Sequence, residues 1–124
     1  GLDEAQITDM LKAGYEHASE DMLARKLGEA RAEAEALLDG LQAAMTADGD
    51  LLSADETAAL QSDMKDLETV MAANQPDDIR EATEILGKAS EVFAARRMDR
   101  SIQKALQGVS LSELESEVAE ESTQ

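Results

Sequence analysis

The chain has 124 residues, enough for one small domain with a modest core. Its 11 Lys and Arg face 28 Asp and Glu, and the net charge of −17 argues against nucleic acid and against an anionic membrane surface as partners. Hydrophobic residues reach 43% while aromatics are only 2%, with one proline, so Ala, Leu, Met, Glu and Gln dominate and predict an all-α fold.

The first element opens at Asp3. Asp3 and Gln6 read as a capping box, with Leu2 and Ile7 in the staple positions. Ile7, Met10, Leu11 and Gly14 follow helical spacing, and the pattern continues through Ala18, Met22, Leu27, Ala30, Ala34, Leu38, Leu41 and Met45. One long helix is therefore predicted over 3–46, with Gly14 to Ala18 as the place for a bend. Residues 46–50 read as a loop around Gly49. Ser53 and Glu56 form a second capping box, and a helix over 54–73 carries Leu60, Met64, Leu67, Val70 and Met71 on one face. Pro76 forbids its continuation. A third helix over 77–107, capped by Gln75 or Asp77, carries Ile79, Ala82, Leu86, Phe93, Met98, Ile102 and Leu106 as its apolar face. Gly108 reads as the residue that ends it. After Val109 come Glu113, Glu115, Glu117, Glu120 and Glu121 without a base, which reads as a disordered acidic tail.

The expected layout is an N-terminal arm over 1–18, a three-helix bundle over 19–108 and a flexible tail over 109–124. At about 1.5 Å per residue, the first turns project some 30 Å beyond the bundle. Their apolar residues Ile7, Met10 and Leu11 have no partner in the chain, which implies one elsewhere. Two such arms could also pair as a weak homodimer.

Candidate chemistry is sparse. Asp48, Asp50 and Asp55 invite a calcium loop, but counting from Asp48 the ligand, glycine and glutamate positions hold Leu52, Ser53 and Ala59. The lone His17 reads as a surface residue. No hydroxyl sits in a motif beside a base, and no glycine-rich loop could cradle a phosphate. The six methionines read mainly as packing. The basic run Arg96, Arg97, Arg100 and Lys104 has two readings: pairing with acids on a neighbouring helix and with the helix dipole, or a surface that docks a partner. No catalytic, metal-binding or cofactor-binding residue is expected. An acidic chain with no cysteine and no apolar run near 20 residues is expected in the cytoplasm. The start at Gly1, abutting a cap, leads to the expectation of a segment of a longer protein.

With the helices placed, residues 1 to about 112 resemble the C-terminal lid of the seventy-kilodalton heat-shock, or DnaK-family, chaperones. The segments that carry the resemblance are Gly1 to Ile7 with Met10, Leu52 to Glu56, and Leu67 to Val70. Val92 to Ser101 and Lys104 to Gly108 resemble the branch of that family serving iron–sulfur cluster assembly. The residues after Ser112 depart from the family pattern. The resemblance implies a helical lid of the substrate-binding domain, closing over peptide held in a β-sandwich of the same parent chain. It implies that the parent binds and hydrolyses ATP through a separate N-terminal domain. It further implies an iron–sulfur scaffold protein as client and a J-type co-chaperone as partner. The family's acidic latch residue falls, by ungapped position, on Glu35. The reading from a different class is an autonomous acidic adaptor that docks a partner helix through its long arm.

Overall fold

The computed structural model describes residues 1–122. Four α-helices and one short 3-10 helix account for the described elements: α1 (Glu4–Asp48), the 3-10 helix (Gly49–Leu51), α2 (Ala54–Met71), α3 (Pro76–Ala89) and α4 (Glu91–Ser122). The fold is all-α with a long N-terminal helix, as the composition predicts.

Both predicted capping boxes form. The Asp3 carboxylate accepts from the Gln6 N–H, and the Gln6 side chain accepts from the Asp3 N–H. Ser53 and Glu56 exchange the same pair of bonds at the start of α2. These local bonds satisfy donors that a helix start otherwise leaves orphaned. α3 starts differently. Gln75 precedes it without a side-chain cap, and Pro76 fills the first turn, where its missing N–H costs nothing.

α1 is helical without interruption through Gly14 and Ala18. Every side chain from Gly1 to Lys26 is exposed, and Leu27 is the first to pack against the core. The C-terminal half of α1, with α2 and α3, closes a three-helix bundle. Its centre is Ala30, Ala34, Leu41, Ala44, Leu60, Met64, Leu67, Ile79, Leu86 and Phe93. Small alanines on α1 let the neighbouring helices approach closely, and the larger side chains of α2, α3 and α4 fill the space.

The third helix departs from the sequence reading in two places. It is not one helix over 77–107. The buried Ser90 separates α3 from α4, its hydroxyl donating to the Gly87 carbonyl at 2.8 Å. Its N–H is shared between the Leu86 carbonyl at 3.0 Å and the Gly87 carbonyl at 3.3 Å. This tightens the last turn of α3, and serine bonding back to the preceding turn is a recognised competitor of the helical ladder. Nor does Gly108 end the helix. No described glycine has a positive φ, so the left-handed conformation that stops a helix is absent, and α4 continues through Ser122. The acidic stretch read as a disordered tail is thus helical as far as it is described, with its described side chains exposed; the last two positions lie outside the described residues. Met98, Ile102 and Leu106, read as core, are exposed, because they lie on the side of α4 opposite Phe93 and the arginines that hold it to its neighbours. Of the methionines read mainly as packing, Met64 is buried, while Met10, Met22 and Met98 face solvent.

Candidate functional site

Two places gather the residues that the sequence singled out. The first is the N-terminal part of α1. The Asp3 box fixes the helix start, so the phase of the following turns is set from the first residue. Ile7, Met10 and Leu11 then fall on one side of the arm, with exposures of 45%, 61% and 70%. Leu2, Tyr15 and Met22 are exposed on the arm as well. At about 100° per residue, the Ile7 to Leu11 face is turned well away from the side of α1 that carries Ala30, Ala34 and Leu41 into the bundle. A partner therefore reaches it without displacing α2 or α3. Glu35, on the same helix, is exposed and has no ion pair among the described residues. It lies about 42 Å along the axis from Ile7, so α1 does not bring Glu35 together with Ile7, Met10 and Leu11. His17 is exposed and lies 4.0 Å from the carboxylate of Glu20.

The second is the basic run. Arg96 donates to the Leu51 carbonyl and to the Glu56 carboxylate, each at 2.8 Å. Arg97 donates to Asp48 at 2.9 Å, and its guanidinium lies 6.0 Å from the centre of the Phe93 ring. Arg100 donates to Asp48 at 3.0 Å and holds both carboxylate oxygens of Asp50. Of the pairing reading, the structure realises the part that pairs Arg96, Arg97 and Arg100 with acids of their own chain. The helix-dipole part, for Arg100 and Lys104, does not hold, because α4 continues through Ser122 and neither residue lies in its last turn. Asp48 and Asp50, weighed as calcium ligands, are ion-pair partners instead. Arg97 and Arg100 hold the Asp48 carboxyl below its ordinary range, and Arg100 does the same for Asp50. The Arg96 bond, with the Ser53 backbone bond, brings Glu56 down to about 2. Arg96 and Arg100 are correspondingly raised, chiefly by their bonds to Glu56 and to Asp50. The cluster fastens α4 to the connection between α1 and α2.

One contact was invisible in the sequence. Arg31 of α1 donates to the Met71 carbonyl at 3.1 Å and to the Asn74 side chain at 3.0 Å. It thereby caps the end of α2, which has neither a basic residue in its last turn nor a glycine after it. Two depressions of about 190 and 300 Å³ flank Phe93, lined mainly by apolar residues such as Leu52, Leu60, Leu37 and Leu41. Neither brings a nucleophile beside a base. What the exposed surfaces offer is burial against a partner.

The family model described as Hsp70 protein matches residues 1–99. The chain belongs to the Hsp70 family. It is 43% identical over 114 residues to the Chaperone protein HscA homolog of Ralstonia pickettii (strain 12J), an alignment covering 92% of this chain and 18% of that protein. The HscA homolog of Neisseria meningitidis serogroup B is also 43% identical over 114 residues, with the same coverage of 92% and 18%. That of Pseudoalteromonas atlantica is 46% identical over 109 residues, covering 87% of this chain and 18% of the relative. The chain thus spans 18% of the length of these Hsp70 relatives. No helix among the described residues is long and apolar enough to cross a membrane.

Proposed function

We propose that this Hsp70-family chain is the helical lid of a substrate-binding domain, closing over peptide held in a β-sandwich elsewhere in the same parent protein. The observation that carries the reading is the long uncovered arm: α1 presents Ile7, Met10 and Leu11 to solvent, while its far end is built into a bundle. Each such side chain gains about 1.5–3 kcal/mol on full burial, so the arm is built to be covered. The likeness to HscA homologs supports a parent that works in iron–sulfur cluster assembly in the cytoplasm. That parent would be driven by ATP through another domain, take a Pro-containing segment of the scaffold protein as client and answer to a J-type co-chaperone. Glu35 is the proposed latch toward the β-sandwich. Away from the β-sandwich, the same arm face supports a weak homodimer.

The test is the release rate of a fluorescent scaffold peptide from the parent's substrate-binding domain. Removing residues 1–124, or introducing Ile7→Asp with Leu11→Asp, should speed release by about tenfold, the equivalent of roughly 1.4 kcal/mol. Unchanged release in both variants rules out the lid. Tight peptide binding by the chain alone favours the adaptor reading instead.

A further inference from the structure

The outer side of α4 carries an apolar ridge. Met98, Ile102, Leu106 and Val109 recur at helical spacing, with exposures between 49% and 62%. The opposite side of the same helix is fixed by its contacts, since Arg96, Arg97 and Arg100 all reach the connection between α1 and α2. Lys104 follows Arg100 by one turn, so it shares their side. From Met98 to Val109 the one charged residue at the ridge's edge is Asp99, and Glu113 and Glu117 continue that side one and two turns beyond Val109. Asp99, Glu113 and Glu117 are exposed, and none has an ion pair among the described residues. Scattered surface hydrophobes need no explanation, but a continuous row along one helix, with Asp99 at its edge and Glu113 and Glu117 past its end, has the form of half a helix pair.

The rim decides the occupant. A second copy laid parallel along the ridge sets Asp99, Glu113 and Glu117 against their own counterparts, and in either direction it brings together two chains of −17 each. A helix whose apolar stripe is bordered by Lys or Arg meets both features at once. We propose that this ridge docks a cationic amphipathic helix of a partner protein. The surface is separate from the arm and goes beyond the lid reading. Binding should be salt-sensitive, because the rim is exposed.

The test uses the 124-residue chain and three synthetic peptides: Leu and Lys at helical spacing, a scramble of the same composition that cannot form a stripe, and a Leu–Glu counterpart. Calorimetry should show that the ordered Leu–Lys peptide binds at least about tenfold more tightly than its scramble. Ile102→Asp with Leu106→Asp should remove that advantage, whereas Ile7→Asp with Leu11→Asp should keep it, which separates this surface from the arm. A second variant, Asp99→Lys with Glu113→Lys and Glu117→Lys, should switch the preference to the Leu–Glu peptide. Circular dichroism checks that each variant remains helical. Equal binding of ordered and scrambled peptides would reduce the effect to net charge and overturn the proposal. So would a dimer by sedimentation that Ile102→Asp with Leu106→Asp dissolves, since the occupant would then be a second copy.

Discussion

Phe93 lies at 2% exposure between α1 and α2, in the first turn of α4. It is the side chain through which α4 enters the core, so Phe93→Ala should cost about 3–5 kcal/mol, read from the urea midpoint. For a domain of this size that is a large share of total stability. Glu56 accepts from the Ser53 N–H and from Arg96 through the same carboxylate oxygen. Its folded form titrates at about 2 against an ordinary 4.5, so the unfolded chain takes up the proton first as the pH falls. The stabilisation is complete above about 4.5 and is lost down to about 2, with Asp48 and Asp50 acting in the same direction. Thermal melts across that range should show the midpoint falling with acid, and Glu56→Gln should flatten part of the slope. Phe93 was legible in the sequence because it is the one phenylalanine and sits on an apolar stripe. Arg31 was not, because its partners Met71 and Asn74 are distant in the chain and only packing brings them near.

Element starts were legible where the deciding bond is local. Asp3 with Gln6 and Ser53 with Glu56 each close a box three residues long, so spacing alone reveals them. The end of the third helix was not legible. Gly87 and Ser90 are each tolerated within helices, and only the burial of Ser90, with its hydroxyl turned back onto Gly87, separates α3 from α4. Gly108 fits a helix end by residue type, yet nothing in α4 forces it into the left-handed conformation. The apolar stripe changes side after Phe93: Arg96, Arg97 and Arg100 take its i+3, i+4 and i+7 positions, and Met98, Ile102 and Leu106 fall on the opposite side, so their spacing alone already carried the signal that they leave the core. If α4 is continuous through Gly108, Gly108→Ala should raise helicity in far-UV circular dichroism, by about 1 kcal/mol of local helix preference. Truncation after Gln107 should leave the urea midpoint of the bundle unchanged. A lowered midpoint would mean that the acidic extension packs where the structure leaves it exposed.

The whole molecule divides into a cooperative bundle and a projecting helix, and the arm was legible because its apolar face has no counterpart within reach. Native-state amide exchange should follow that division. Amides from Glu4 to about Lys26 should exchange far faster than those around Leu67, Ile79 and Leu86, since an isolated helix is marginal in water. Equal protection along all of α1 would mean that the arm is covered in solution. The continuity of α1 has a further mechanical consequence. Forty-five residues in one helix make a rod about 67 Å long. Tilting its free end by about 10° sweeps the opposite end through roughly 10 Å, with no bond within the bundle changed. Sub-ångström repacking beneath Ile7 and Leu11 would then be amplified geometrically. The bulk carried on α2, α3 and α4 would act as a steric and frictional load at the long end of a lever, and the stiffness of one helix would set how faithfully a small local event becomes a large displacement.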